Sequence, residues 1–85
     1  MNWVKVGEVT RYFGKINVAV INLDDNLMIG DWLGFVRKGE LLFEQEVVSM
    51  QVEHQEINDA APGEEVALMV DHKVKNGTEV YRAVE

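Results

Sequence analysis

Apolar and polar residues alternate with a period of two along most of the chain, most cleanly around residues 57 to 70. Val66, Leu68 and Val70 share one parity while Ala67, Met69 and Asp71 share the other, as in a strand with one face in a core. Ala61-Pro62 restricts the approach to that strand, and Gly63 can take the positive φ of a sharp reversal. Ile29-Gly30-Asp31-Trp32-Leu33 and Asn76-Gly77-Thr78-Glu79-Val80 repeat the device of a glycine and a polar residue before a β-forming run. Three such releases predict one antiparallel sheet closing on itself.

The remaining segments fit that plan. Trp3 to Phe13 reads as a first strand whose parity slips between Val4 and Val6 on one face and Val9, Arg11 and Phe13 on the other; Gly7, at the slip, predicts a β-bulge. After a turn at Gly14, Lys15 to Leu23 forms a second strand with Ile16, Val18 and Val20 in phase, completing a hairpin. A third strand spans Asp31 to Arg37, with Leu33 and Phe35 opposed to Trp32 and Val36. Leu41 to Glu53 is the longest β-like run, and the adjacent Val47-Val48 predicts a bulge within it. His54 to Ala61 is polar with one buried candidate, Ile57, and Val80 and Val84 belong to a last strand. No segment has sustained helical periodicity, so residues 1–85 read as one all-β domain.

Composition narrows the function. A chain of 85 residues buries only about 60% of its unfolded surface, which leaves room for one core. Without cysteine, neither disulfides nor thiolate metal sites can reinforce that core, so packing of the 47% hydrophobic residues must hold the fold. Met1 to Val6 lacks the form of a signal peptide, and no apolar run approaches the roughly 20 residues that span a bilayer; the expectation is a soluble cytoplasmic protein with no membrane partner. The net charge of −7 is uneven: residues 1–39 carry +1, residues 40–72 carry nine acidic side chains and no lysine or arginine, and residues 73–85 carry +1. The acidic middle would repel phosphate, which disfavours sequence-independent nucleic-acid binding, and no DNA partner is expected.

The order of these signals resembles domain 2 of translational GTPases such as elongation factor Tu. It is more similar to the small barrel at the C-terminal end of collagenase-like peptidase family proteins. The resemblance is carried by Val6-Gly7-Glu8-Val9-Thr10-Arg11-Tyr12-Phe13 with Val18-Ala19-Val20, by Ile29-Gly30-Asp31, and by Phe43-Glu44-Gln45 with Ser49-Met50-Gln51. Ala61-Pro62-Gly63-Glu64 with Val66-Ala67-Leu68, and Asn76-Gly77-Thr78-Glu79-Val80-Tyr81, complete it. It implies a small, closed, mainly antiparallel six-stranded barrel of the translation-protein domain 2 type, without the GTPase or peptidase domain. It also implies that Gln51 and His54 stand where the translation factor places an acidic and a basic residue near the terminal adenosine of aminoacyl-tRNA. The residues differ from that pair.

Candidate chemistry is sparse. Gly34 to Gly39 has the glycine spacing of a P-loop, but Glu40-Leu41 stands where Lys and Ser/Thr are required. Ser49 is the only serine and has no catalytic frame around it, so no catalytic residue and no cofactor is assigned. Val52-Glu53-His54 and Val70-Asp71-His72 are similar strand endings that would form a metal site only if they converged, and no metal ligand is assigned. Arg11, Tyr12, Phe13 and Lys15 at the first hairpin, with Arg37 and Lys38 at a later turn, are RNA-binding candidates, because rings beside cations stack bases and neutralise phosphates. The leading expectation is a non-enzymatic module contacting RNA or a ribonucleoprotein. The alternative is a protein-interaction module for a peptidase-like or other partner, with Trp32 as its interface anchor.

Overall fold

The computed structural model describes residues 2 to 85, and every regular element in them is a strand. In chain order these are β1 (Asn2–Phe13), β2 (Val18–Leu23), β3 (Leu27–Met28), β4 (Trp32–Arg37) and β5 (Glu40–Glu46). They continue with β6 (Met50–Val52), β7 (Gln55–Ile57), β8 (Asp59–Ala60), β9 (Glu65–Met69) and β10 (Glu79–Val84). Eight form one sheet in the order β5-β4-β10-β1-β2-β9-β6-β7, and β3 pairs with β8 separately. All the strand pairs are antiparallel. The all-β, mainly antiparallel expectation is therefore what the structure shows. The strand count is ten rather than six, and among the described residues no ladder joins the edge strands β5 and β7 to close the sheet.

The register follows from which parity is apolar and which pairs it meets. Val66 and Leu68 of β9 are buried and lie opposite Ile21 and Ala19 of β2, so the inward face of β2 is Ala19, Ile21 and Leu23. This corrects the phase read from the sequence: Val18 and Val20 face outward, and Ile16 lies in the turn before β2, well exposed. Both parities of β2 are apolar, so only the partner strand decides which goes inside. Leu33 and Phe35 of β4 are fully buried, and Phe35 stacks on Phe43 with ring centroids 4.5 Å apart. Each buried Ile, Leu, Val or Phe contributes about 1.5–3 kcal/mol relative to exposure, and these side chains form one continuous core with Val6, Val9, Met50 and Val80.

Two bulges shape β1. Its register slips between Lys5 and Gly7 against β10, where the sequence predicts it, and again between Val9 and Arg11 against β2. A Cβ on Gly7 would lie 2.5 Å from the Asn22 carbonyl oxygen, so only glycine permits that approach. The bulge expected at Val47-Val48 is replaced by a break in the long run: β5 ends at Glu46 and β6 starts at Met50. Val47 is buried between them, its N–H donating to Asp31 O and its carbonyl accepting from Gly30 N, both at 2.8 Å. The irregularity of this hairpin lies instead between Phe35 and Val36, where Leu42 is the extra residue opposite. The polar stretch before Ala61 is not structureless, because it supplies β7 and β8, and Ile57 packs half-buried against the core.

Candidate functional site

The residues singled out from the sequence fall into three separate places. In an extended strand adjacent side chains point to opposite faces, so neighbours along β1 need not share a site. Phe13 faces outward and lines a concavity of 530 Å³ with Gln51 and His54. Tyr12 turns the other way, packs against the core and lines a groove of 410 Å³ together with Arg37. Arg11 stays with Phe13, its guanidinium carbon 5.9 Å from the ring centroid, a cation–π distance. Lys15 and Lys38 are exposed in their turns and line neither depression. The six RNA-binding candidates thus do not form one continuous track.

The concavity around Phe13 is acidic. Glu53, Glu64 and Glu65 join Gln51 and His54 on its wall, with Val20 and Ala67 on the outer face of the sheet as apolar floor. Gln51 and His54, separated by two residues in sequence, are brought to one site by the tight turn between β6 and β7. Val52 pairs with Gln55 there, so Glu53 and His54 are the two central residues, with φ of 51° and 67°. Both lie in the left-handed region of a type I′ hairpin, where Asn and Gly are the usual occupants. Three carboxylates and one imidazole offer no cradle for a phosphate.

The two similar endings do not converge. Antiparallel pairing sets Met50 opposite Leu68 and Gln51 opposite Ala67, so the chain leaving β6 passes one end of β9 while the chain leaving β9 passes the other. His54 is therefore at the acidic concavity, and His72 lies edge-on to Phe43 at 4.8 Å. Among the described residues no group of three or more His, Asp or Glu side chains is placed to hold a metal ion.

A third surface lies on the outside of β1, β10, β4 and β5. Trp32 is 41% exposed, Trp3 39% and Leu41 50%. The alternation of β4 explains the first: Leu33 and Phe35 point inward, so Trp32 and Gly34 point outward. The Trp32 indole N–H donates to Glu44 Oε1 at 2.5 Å, which fixes the ring on the surface. Gly34 is the floor between two apolar groups, since a Cβ there would stand 3.1 Å from the Trp3 ring and 3.2 Å from a Leu41 methyl. Tyr81 pairs with Gly34 across the sheet and donates its hydroxyl to Glu79 Oε1 at 3.0 Å. That hydrogen bond, burial and the Glu79 charge raise the phenol pKa above its ordinary value of 10.0, with Lys5 acting in the opposite direction. Alternation pointed to Trp32, but Trp3 was not distinguishable from a core residue. Its exposure follows from the bulge at Gly7, which decouples the parity of Trp3 from that of Val9.

No known protein-family model matches the chain. It is 35% identical over 78 residues, 92% of its length, to an uncharacterised protease of Methanocaldococcus jannaschii. The chain spans 19% of that relative. Its fold matches the C-terminal domain of a protein named as a U32 peptidase from Geobacillus thermoleovorans, with a TM-score of 0.86 at 18% identity over 94% of this chain and 92% of that one. The selenomethionine form of the same domain gives 0.84 at 19% identity, over 91% and 96%. No helix among the described residues is long and apolar enough to cross a membrane.

Proposed function

We propose that this chain is a non-enzymatic accessory module that docks on a peptidase-type protein through the face bearing Trp3, Trp32 and Leu41. The observation that carries the reading is the scale of the likeness: nearly all of this chain matches about a fifth of a protease, and its fold matches a peptidase's C-terminal domain. A segment of that kind is an appendage to a larger protein, and an appendage needs a contact face. Exposed tryptophans on a rigid sheet are the side chains that dominate binding energy at protein interfaces. In the same reading the curled sheet is a barrel of the translation-protein domain 2 type. Gln45 of β5 supports this by bonding backbone at the end of β9, although four strands lie between them in the sheet order.

The RNA or ribonucleoprotein reading has less in its favour, because Arg11 and Phe13 stand apart from Tyr12 and Arg37, and the concavity holding Phe13, Gln51 and His54 is walled by carboxylates. The test is calorimetric titration of this chain into the Methanocaldococcus protease from which the matching segment has been removed. Saturable binding is expected, weakened by about 2 kcal/mol or more in Trp32→Ala. Absence of heat up to about 100 μM would sink the proposal.

A further inference from the structure

The groove lined by Tyr12 and Arg37 has a composition at odds with the rest of the molecule. In a protein of net charge −7, its six lining residues include three cations, Arg37, Lys73 and Lys75, and no carboxylate. The chain between β9 and β10 produces this arrangement by local alternation: Val74 is buried and plugs the end of the core, which turns Lys73 and Lys75 outward on either side of it. Leu42, the extra residue of the β4–β5 hairpin, is 43% exposed and forms the opposite apolar wall beside the half-buried Tyr12 ring. Arg37 is held in place because its Nη1 donates to Asn76 O at 2.9 Å.

None of these three cations lies within ion-pair distance of a carboxylate among the described residues, whereas Lys5 pairs with Glu8 and Glu79, and Arg82 with Asp25. Three unpaired cations around an aliphatic floor complement a ligand that is both apolar and anionic. We infer that this groove binds a short acidic peptide in which leucine-like side chains stand among carboxylates. The apolar side chains would sit on Leu42, Val74 and Tyr12, and the carboxylates would meet Arg37, Lys73 and Lys75. A nucleic-acid strand fits less well. Its bases need exposed rings, and the groove has one, half-buried and with its hydroxyl held by Asn17 Oδ1 at 3.1 Å. Its phosphates need a longer basic track, which the placement of Arg11, Lys15 and Lys38 outside the groove does not supply. This surface is distinct from the Trp3–Trp32 face, so the inference does not rest on docking to a peptidase.

The test is a fluorescence-anisotropy titration with a labelled hexapeptide alternating glutamate and leucine, run beside hexaglutamate and an octauridine RNA, with amide NMR shifts to locate the site. Saturable binding of the alternating peptide is expected, with shifts at Tyr12, Leu42 and Lys73 to Lys75. Lys73→Glu/Lys75→Glu should weaken it roughly tenfold or more, while Lys15→Glu/Lys38→Glu, the same change of charge outside the groove, should leave it within about twofold. All four lysines are exposed, and the amide spectrum reports that each variant is folded. The inference is overturned by equal losses in the two double variants, by hexaglutamate binding as tightly as the alternating peptide, by octauridine occupying the groove when the peptide does not, or by no binding at all.

Discussion

Gln45 and Asp71 are joined by a hydrogen bond in which the Asp71 backbone N–H donates to Gln45 Oε1 at 2.7 Å. The same amide donates through Nε2 to Met69 O at 2.8 Å, so one buried side chain serves the backbone on both sides of Val70 as a neighbouring strand would. Gln45→Leu would leave an N–H and a C=O without these partners. The expected cost is about 2–3 kcal/mol, which lowers the melting temperature of a domain this size by roughly 10 °C or more. An unchanged melting curve would show that these backbone groups find other partners.

Two glycines separate a backbone constraint from a side-chain one. At Gly7 the obstacles are the Asn22 carbonyl oxygen at 2.5 Å and an Ile21 methyl at 2.8 Å, both in a paired strand, so Gly7→Ala should cost about 3 kcal/mol. At Gly34 the obstacles are the exposed Trp3 ring and the end of Leu41, which can swing aside, so Gly34→Ala should cost under about 1 kcal/mol and shift tryptophan emission. Urea denaturation followed by fluorescence measures both. Equal costs would contradict the distinction.

Thr78 is fully buried and its Oγ1 has no hydrogen-bond partner among the described residues. Thr78→Val keeps the shape and removes a hydroxyl that was desolvated without compensation. A gain of about 1 kcal/mol is expected, read as a higher denaturation midpoint at constant slope. A lower midpoint would mean that the hydroxyl is satisfied in solution.

Tyr81 makes the alkaline side of the stability curve specific. Hydrogen bonding to Glu79, with burial and the Glu79 charge, raises its pKa in the folded state above 10.0. The native state therefore holds the phenolic proton more tightly than the unfolded state. Its contribution is fully present below pH 10 and is lost as pH rises through the folded value. Glu79→Gln should lower the ionisation midpoint of the Tyr81 ring, followed by its NMR chemical shift, and flatten stability above pH 10. If the midpoint does not move, burial rather than Glu79 sets the shift.

What the sequence made legible was local and periodic. β9 has Val66 and Leu68 on one parity with Glu65 at the head of the other, so those two could be assigned to the core from alternation alone, whereas β4 is apolar on both faces, and parity set Trp32 opposite Leu33 and Phe35 without deciding which side is buried. β2 is apolar on both parities, and its inward face depends on pairing with β9, which a single strand does not encode. β7 and β8 are too short and polar for any period to appear. The candidate sites suffered from the same geometry: Arg11 to Lys15 look like one cluster in sequence, but alternation sends Tyr12 and Phe13 to opposite faces. Lys73-Val74-Lys75 is an ordinary polar stretch until the fold buries Val74 and sets the lysines beside Arg37.

The pairing of β1 with β10 places Asn2 directly opposite Val84, in the middle of the sheet order rather than at an edge. Tension applied through these two residues would load the β1–β10 ladder one rung at a time, like a zipper, and not all its hydrogen bonds together in shear. It would also part the sheet where the core strands meet. Pulled at these two points, the fold opens along its own middle.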